Sequence, residues 1–188
     1  MILYGLPDIR VKEAKQRVRS AIKNSGIEFP SRKIVVNLAP ADKRKEGTFF
    51  DLPIAIGILV AIGKIKKTAI EDFDSTIFLG ELSLDGKINE VNGILPMCIE
   101  AVDLGIKRVI IPSQNSVEAS IIKDLDIIPV SNLNEVIDYL SGEIQIDKQI
   151  VYGNTDFENR EYYNVDFSEV KGQENAKRAL EIAAARLT

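Results

Sequence analysis

A serine, threonine or cysteine nucleophile needs a base, and this sequence of 188 residues contains no histidine to act as one. The absence of histidine excludes serine–histidine and cysteine–histidine pairs, imidazole acid–base catalysis and nearly every ordinary zinc site. Catalysis would therefore depend on carboxylates, on lysine or on a serine–lysine pair. Cys98 is the only cysteine, so an internal disulfide is excluded, and its apolar helical surroundings predict a small buried thiol.

Positive charge is concentrated at the beginning of the chain. Residues 1–67 carry 14 Lys and Arg against 6 Asp and Glu, whereas residues 68–188 carry 10 against 22. Four basic residues share one face of a predicted helix: Lys12, Lys15, Arg19 and Lys23. Further basic residues follow at Arg32, Lys33, Lys43, Arg44 and Lys45.

This basic half has two interpretations. Neutralisation of phosphates by lysine and arginine gives sequence-independent affinity for DNA, and the nine residues are the candidates for that contact. A solvated helix face or an acidic protein partner explains the same pattern. Few aromatic residues that could stack on bases occur here, which predicts weak DNA binding directed at the backbone.

Three carboxylates surround one loop and could bind a divalent cation: Asp42, Glu46 and Asp51. Because Lys43, Arg44 and Lys45 lie among them, local ion pairing together with helix capping by Asp51 is the favoured interpretation. The sequence therefore predicts no metal site.

These residues must be positioned by alternating helices and strands. Helical spacing of apolar residues predicts a helix from Asp8, its N-cap, to about Asn24, ended by Gly26. A strand over 34–38 and a buried helix from Asp51 follow, then a strand over 76–84 and a hairpin around Asp85 and Gly86. Helices over 93–104, 115–124 and 133–140 alternate with strands over 108–111 and 126–130. This order is typical of the α/β class.

The last part of the chain differs from the rest. Residues 146–168 have little apolar periodicity and predict a linker, and residues 175–187 predict a final helix. No apolar run is long enough to cross a membrane, and the N-terminus lacks the pattern of a signal peptide. We therefore expect a soluble, cytoplasmic protein.

Three blocks carry a family resemblance. They are Gly5-Leu6-Pro7-Asp8 with Arg17-Val18-Arg19-Ser20-Ala21-Ile22, Val36-Asn37-Leu38-Ala39-Pro40-Ala41-Asp42 with Phe50-Asp51-Leu52-Pro53-Ile54-Ala55, and Leu79-Gly80-Glu81-Leu82 with Val91-Asn92-Gly93-Ile94-Leu95-Pro96. Over residues 4 to about 184 the sequence resembles the N-terminal domain of the magnesium-chelatase-related, competence-type (ComM-like) AAA+ proteins. The resemblance implies a Lon-protease-like domain with a mixed sheet and packed helices over 1–145, the linker over 146–168, and the start of an AAA+ ATPase module over 169–188.

For the full-length protein, the resemblance implies a hexameric, ATP-driven ring that acts on DNA. Its role would be helicase-like, in branch migration during natural transformation and recombination, with ATP and magnesium as cofactors and no membrane partner. Gly172 and Gln173 match the pair that lies beside the adenine in this class. The phosphate-binding loop Gly-x-x-x-x-Gly-Lys-Ser/Thr is absent from the sequence, so we expect this part of the protein to hold no cofactor and not to hydrolyse ATP, and we expect the native chain to continue.

Two segments also resemble the active-site segments of Lon-type serine–lysine proteases. In this alignment Phe49 takes the place of the nucleophile and Leu95 that of the lysine base, and hydrocarbon can fill neither role. Thr48 is one residue away but would still need a base. We therefore predict a non-catalytic domain that assists assembly or guides DNA. The alternatives are an oligomerisation or regulatory module without DNA contact and, third, a Lon-type peptidase.

Overall fold

A computed structural model describes residues 1–5, 8–40, 42–66, 73–149 and 171–185. Its internal contacts divide the chain into two units, Met1–Val151 and Tyr152–Thr188. The helices are α1 (Ile9–Asn24), α2 (Asp51–Ala61), α3 (Ile94–Asp103), α4 (Ser116–Ala119), α5 (Leu133–Ser141) and α6 (Glu174–Ala185). The strands are β1 (Ile2–Tyr4), β2 (Val35–Asn37), β3 (Thr76–Phe78), β4 (Glu81–Leu82), β5 (Ile88–Asn89), β6 (Arg108–Pro112) and β7 (Asp126–Val130).

A parallel sheet in the order β3-β6-β7 divides the first unit into layers. Because successive side chains of a strand point to opposite faces, Ile110 joins one apolar core while Val109 and Ile111 join another. Helices α1, α2 and α5 supply the first core, and α3 and α4 supply the second. Strands buried on both faces read as continuous apolar runs, which explains why β6 and β7 were recognisable in the sequence. The predicted α/β class is confirmed.

Helix α1 forms as its apolar periodicity predicts. The Asp8 carboxylate accepts a hydrogen bond from the Val11 N–H at 2.8 Å, so it caps the helix. The buried stripe of α1 consists of Val11, Ala14, Val18, Ala21 and Ile22, all fully buried. This stripe holds α1 against the core and leaves its opposite face to solvent.

Helix α2 is buried as predicted, but its N-terminus is not capped by Asp51. The N-cap residue is Phe50, which makes no side-chain capping bond, and Asp51 is the first residue of the helix. The prediction of capping by Asp51 is therefore wrong, because a partner distant in the sequence engages its carboxylate.

The predicted strand over 76–84 is interrupted at Gly80. Strand β3 ends at Phe78 and β4 begins at Glu81, and between them the Gly80 N–H donates to the Phe49 carbonyl at 3.2 Å. Strands β4 and β5 are antiparallel and enclose Asp85 and Gly86, so the predicted hairpin is confirmed.

Helix α4 is shorter than the predicted helix over 115–124. It follows a 3₁₀ turn over Ser113–Asn115, and Asn115 is buried. The Asn115 side chain accepts from the Val91 N–H and donates to the Val91 carbonyl, both at 3.0 Å. This pair of bonds secures the segment before α3.

The described part of the second unit is 171–185, and α6 begins one residue before the predicted final helix. Most of the predicted linker falls in 150–170, outside the described residues, so the proposed domain boundaries stay a prediction. None of the helices described has the length and hydropathy needed to cross a bilayer.

Candidate nucleic-acid interface

Phe49, which the sequence resemblance aligns with the Lon-type nucleophile, lies in the turn before α2. Its ring centroid lies 4.4 Å from that of Phe50. The side chain is half-buried and packs against the core that contains Leu79 and Ile94. Phe49 therefore acts in apolar packing and offers no oxygen or nitrogen for chemistry.

Leu95, which the sequence resemblance aligns with the lysine base, lies half-buried in the first turn of α3. Its N–H donates to the Glu118 Oε1 at 3.1 Å. Because α3 starts after Gly93, which has no side chain to cap it, Glu118 supplies an acceptor and a favourable negative charge at the helix N-terminus. This position serves to dock α4 against α3.

Lys45 is the lysine nearest in sequence to Thr48, and it is only 6% exposed. Its ammonium donates to the carbonyls of Pro40 and, at 2.7 Å, of Lys43. A buried ammonium requires such partners because it has lost its hydration. Lys45 therefore does not belong to an exposed DNA-contacting surface, and that part of the prediction is corrected.

Lys43 and Arg44 are exposed, and the Arg44 Nε lies 3.2 Å from the Glu46 Oε1. The predicted local ion pairing is thus confirmed for Glu46. Within the ranges that the structure describes, no three candidate ligands lie close enough to hold a metal ion. Asp51, the third carboxylate that follows this loop, turns into the core.

Asp51 forms a buried ion pair with Arg17 that the sequence analysis missed. The Arg17 Nε and Nη2 donate to the Asp51 Oδ2 and Oδ1 at 2.6 and 3.1 Å, and the Leu82 N–H donates to Oδ2 at 3.1 Å. The Asp51 side chain is 1% exposed and that of Arg17 is 18% exposed. Burial raises the pKa of Asp51 above its ordinary value, and the bonds from Arg17 and Leu82 oppose the rise. The hydrogen bond to Asp51 in turn raises the pKa of Arg17.

This pair, with the bond from the Leu82 N–H, joins α1, the start of α2 and β4 at one point. The signal in the sequence was the position of Arg17, which lies beside the apolar stripe rather than opposite it. Asp51, the acid that begins an otherwise apolar helix, was the complementary signal.

The exposed face of α1 presents the four predicted basic residues to solvent, and Arg32 and Lys33 are exposed in the segment before β2. Within the described part of the chain, none of these six residues forms an ion pair. Other basic residues do, such as Lys87 with Asp85 and Lys148 with Asp126. The α1 side therefore carries positive charge that the described carboxylates leave uncompensated.

A surface cavity connects α1 with the segment before β2. It has a volume of about 510 Å³, and Arg19, Lys23 and Arg32 all line it. The Arg19 guanidinium carbon lies 5.4 Å from the ring centroid of Phe29, in a cation–π arrangement. The structure thus brings Arg19, Lys23 and Arg32 together with the ring of Phe29, one of the few aromatic residues in the basic half of the sequence.

Gly172 and Gln173 directly precede α6, and both have positive φ angles, 72° and 61°. The Gln173 carbonyl accepts from the Lys177 N–H at 3.0 Å. The role of Gly172 and Gln173 beside an adenine stays a prediction. The sequence supplies no lysine-containing loop for the phosphates, however, so the residues present do not form a complete ATP site.

Comparisons with known proteins extend over most of the chain. Residues 1–115 match the family described as subunit ChlI of Mg-chelatase. The chain is 40% identical over 186 residues to competence protein ComM of Haemophilus influenzae, covering 97% of this chain and 35% of that protein. It is 38% identical over 185 residues to the uncharacterized protein YifB of Escherichia coli, covering 98% of this chain and 35% of that protein.

A weaker similarity extends to proteases. The chain is 30% identical over 135 residues to the Lon protease of Rhizobium meliloti, covering 68% of this chain and 16% of the protease. The chain thus spans about a third of the length of the two closer relatives named above, at 35% of each.

Proposed function

This chain belongs to the family of the ChlI subunit of Mg-chelatase, in its competence-type branch, and we propose that it is a non-catalytic Lon-protease-like domain that guides DNA into a ring-forming AAA+ ATPase. In this proposal the full-length protein is a hexamer in the cytoplasm and moves DNA branches during recombination. ATP and magnesium act in the ATPase module, not in the domain described here.

The uncompensated positive charge on the α1 side carries this proposal. Like charges held on one surface repel each other, and a polyanion relieves that repulsion while its counterions are released. Six such residues would contact about six phosphates, which gives a slope of about −5 for the logarithm of affinity against the logarithm of salt concentration on duplex DNA. A solvated helix face alone would show no such dependence.

The non-catalytic part of the proposal is supported by the two residues that the resemblance aligns with the Lon-type dyad. Phe49 is engaged in ring packing, and the backbone of Leu95 is bonded to Glu118. Lys45, the base nearest in sequence to Thr48, donates to backbone carbonyls. A hydrolytic reaction would need a nucleophile and a base in contact, and these residues do not supply them.

A second candidate is an assembly module without DNA contact, and one observation favours it. An apolar cavity of about 490 Å³ lies between β2 and α2, where Ile34, Val36 and Ile58 line it and Gly57 leaves space. Val35 is 53% exposed on the same strand. Apolar surface of this kind is typical of protein contacts rather than nucleic-acid contacts.

Neutralising the exposed face of α1 separates the two candidates. The test variant replaces four residues by Gln: Lys12, Lys15, Arg19 and Lys23. The matched control makes the same change in net charge at exposed lysines elsewhere: Lys64, Lys87, Lys123 and Lys148. Binding of labelled duplex DNA is measured by fluorescence anisotropy over a salt series from about 50 mM upward, and assembly is measured by analytical ultracentrifugation.

We expect the test variant to lose binding at every salt concentration, with a slope shallower by about 3 to 4 than that of the unaltered protein. The control variant should keep most of the DNA affinity and most of its salt dependence. If the unaltered protein binds no DNA at about 50 mM salt, or binds without salt dependence, the DNA proposal is wrong. A change in assembly with unchanged DNA binding would favour the second candidate.

A further inference from the structure

The cavity beside α1 is an open depression in the surface that is large enough for a small ligand. Six of its ten lining residues carry a charge, a hydroxyl group or an aromatic ring, and the other four are glycine or apolar; the six are Arg19, Lys23, Glu28, Phe29, Ser31 and Arg32. Its volume of about 510 Å³ lies within the range of roughly 300 to 1,000 Å³ typical of sites for small ligands. A nucleotide is a ligand of that size, whereas a DNA duplex is far too wide to enter.

The charge in the cavity favours an anion. Arg19, Lys23 and Arg32 contribute three positive charges against the single carboxylate of Glu28. None of these three cations forms an ion pair within the described ranges. Two net positive side-chain charges therefore remain, and a backbone phosphate held between Lys23 and Arg32 would compensate one of them.

The cation–π pair of Arg19 and Phe29 favours a flat, unsaturated ring beside that anion. A guanidinium plane is itself a surface on which nucleobases stack, and an aromatic ring behind it keeps it in place. A base in a duplex is already paired and stacked on both faces, so it could reach this surface only by leaving the helix, which costs free energy. An unpaired base has no such cost.

We infer that this cavity is a subsite for single-stranded nucleic acid, in which an unpaired base stacks on Arg19 over Phe29 and the adjoining phosphate lies between Lys23 and Arg32. The inference rests on the proposed DNA contact and adds a preference to it. Beyond the cavity, Lys15 and Lys12 extend the line of positive charge along α1, where further phosphates of the strand would lie. At 1.5 Å per residue, the distance from Lys12 to Lys23 is about 16 Å, which accommodates a few nucleotides.

The test separates stacking from charge. Arg19→Lys keeps the positive charge that duplex binding needs but removes the planar guanidinium. Phe29→Leu keeps an apolar side chain but removes the ring. The matched controls are Lys123→Arg, the reverse exchange at an exposed lysine outside the proposed contact surface, and Tyr4→Leu, which removes an exposed aromatic ring on β1. Thermal unfolding shows whether Phe29→Leu remains folded. If it does not, Arg19→Lys alone still tests the preference for the single strand.

The probes are an oligothymidine of about 15 nucleotides and a hairpin duplex with the same number of phosphates, compared at one ionic strength by fluorescence anisotropy. We expect the unaltered protein to bind the single strand about tenfold more tightly, because stacking of a base contributes roughly 5- to 100-fold. Arg19→Lys and Phe29→Leu should reduce this preference to about twofold or less, with duplex binding changed by less than about twofold. The controls should keep the preference.

The outcomes distinguish this inference from the proposed function. Equal binding of both probes by the unaltered protein would overturn the subsite while leaving the proposed function in place. If both cavity variants keep the preference for the single strand, the subsite is likewise overturned and the proposed function remains. Binding of neither probe would refute the proposed function and the subsite together.

Discussion

Replacing Arg17 by Met would leave the buried Asp51 carboxylate without its counter-charge. The pair is separated by about 3 Å, so at an effective dielectric constant of about 20 the Coulomb attraction is about 5 kcal/mol. Met matches the length of the arginine stem and keeps its packing. Because the lost partner leaves a charge buried, we expect the free energy of unfolding to fall by about 3 to 5 kcal/mol at pH 7.

The loss should depend on pH, and its sign follows from the pKa of Asp51. Burial raises that pKa above the ordinary value of 3.8, and without Arg17 the rise is no longer opposed by its hydrogen bond. The folded state of the variant then binds a proton more tightly than the unfolded state. Its stability therefore falls as the pH rises from the ordinary aspartate pKa through the raised pKa, and it recovers as the pH is lowered.

Urea unfolding followed by circular dichroism across this pH range measures both effects. The double variant Arg17→Met/Asp51→Asn should regain much of the stability at pH 7, because the amide is neutral and still accepts from the Leu82 N–H. Glu13→Gln is the control, since Glu13 is 64% exposed and lies 3.7 Å from Arg17, and it should cost less than about 0.5 kcal/mol. A loss below about 1 kcal/mol for Arg17→Met, or a loss that grows at low pH, would refute the reasoning.

Three further predictions test the packing of the first unit. Asn115→Ala removes both bonds to the Val91 backbone and should lower the free energy of unfolding by about 2 to 3 kcal/mol in urea titrations, and a change below about 0.5 kcal/mol would contradict the buried geometry. Burial raises the pKa of Cys98 to about 11, so the folded protein should react with a disulfide reagent at pH 8 far more slowly than the same protein in denaturant, and equal rates would show that the thiol is accessible. Gly80→Ala places a methyl carbon 2.8 Å from the Ile88 Cγ2, so its melting temperature should fall, and an unchanged melting temperature would show that β5 can yield.

Local periodicity was enough to predict most of the elements in the first unit. Helices α1, α3 and α5 and strands β6 and β7 follow runs whose spacing of apolar residues matches one regular structure. The two errors of length, at Gly80 and after Asn115, occur where a side chain or backbone group bonds to a distant segment. Bonds of that kind leave no periodic signal in the sequence.

For the basic residues too, the sequence predicted what depends on local spacing and missed what depends on tertiary contacts. Sequence spacing predicted correctly that four of them lie on the exposed face of α1. It could not distinguish Lys45 from its exposed neighbours, because a lysine can be buried when nearby carbonyls accept from its ammonium, and the folded loop alone brings those carbonyls together.

Residue types alone determined that this chain has no histidine chemistry, and the resemblance to Lon-type proteases implied that hydrocarbon stands at both dyad positions. Tertiary structure decided the rest of the site. It paired Arg17 with Asp51 across 34 residues, and it placed Arg19 over Phe29 beside Arg32. The reason is physical: a side chain's chemical type is a property of one position, whereas its charge compensation and burial depend on segments that meet only when the cores form.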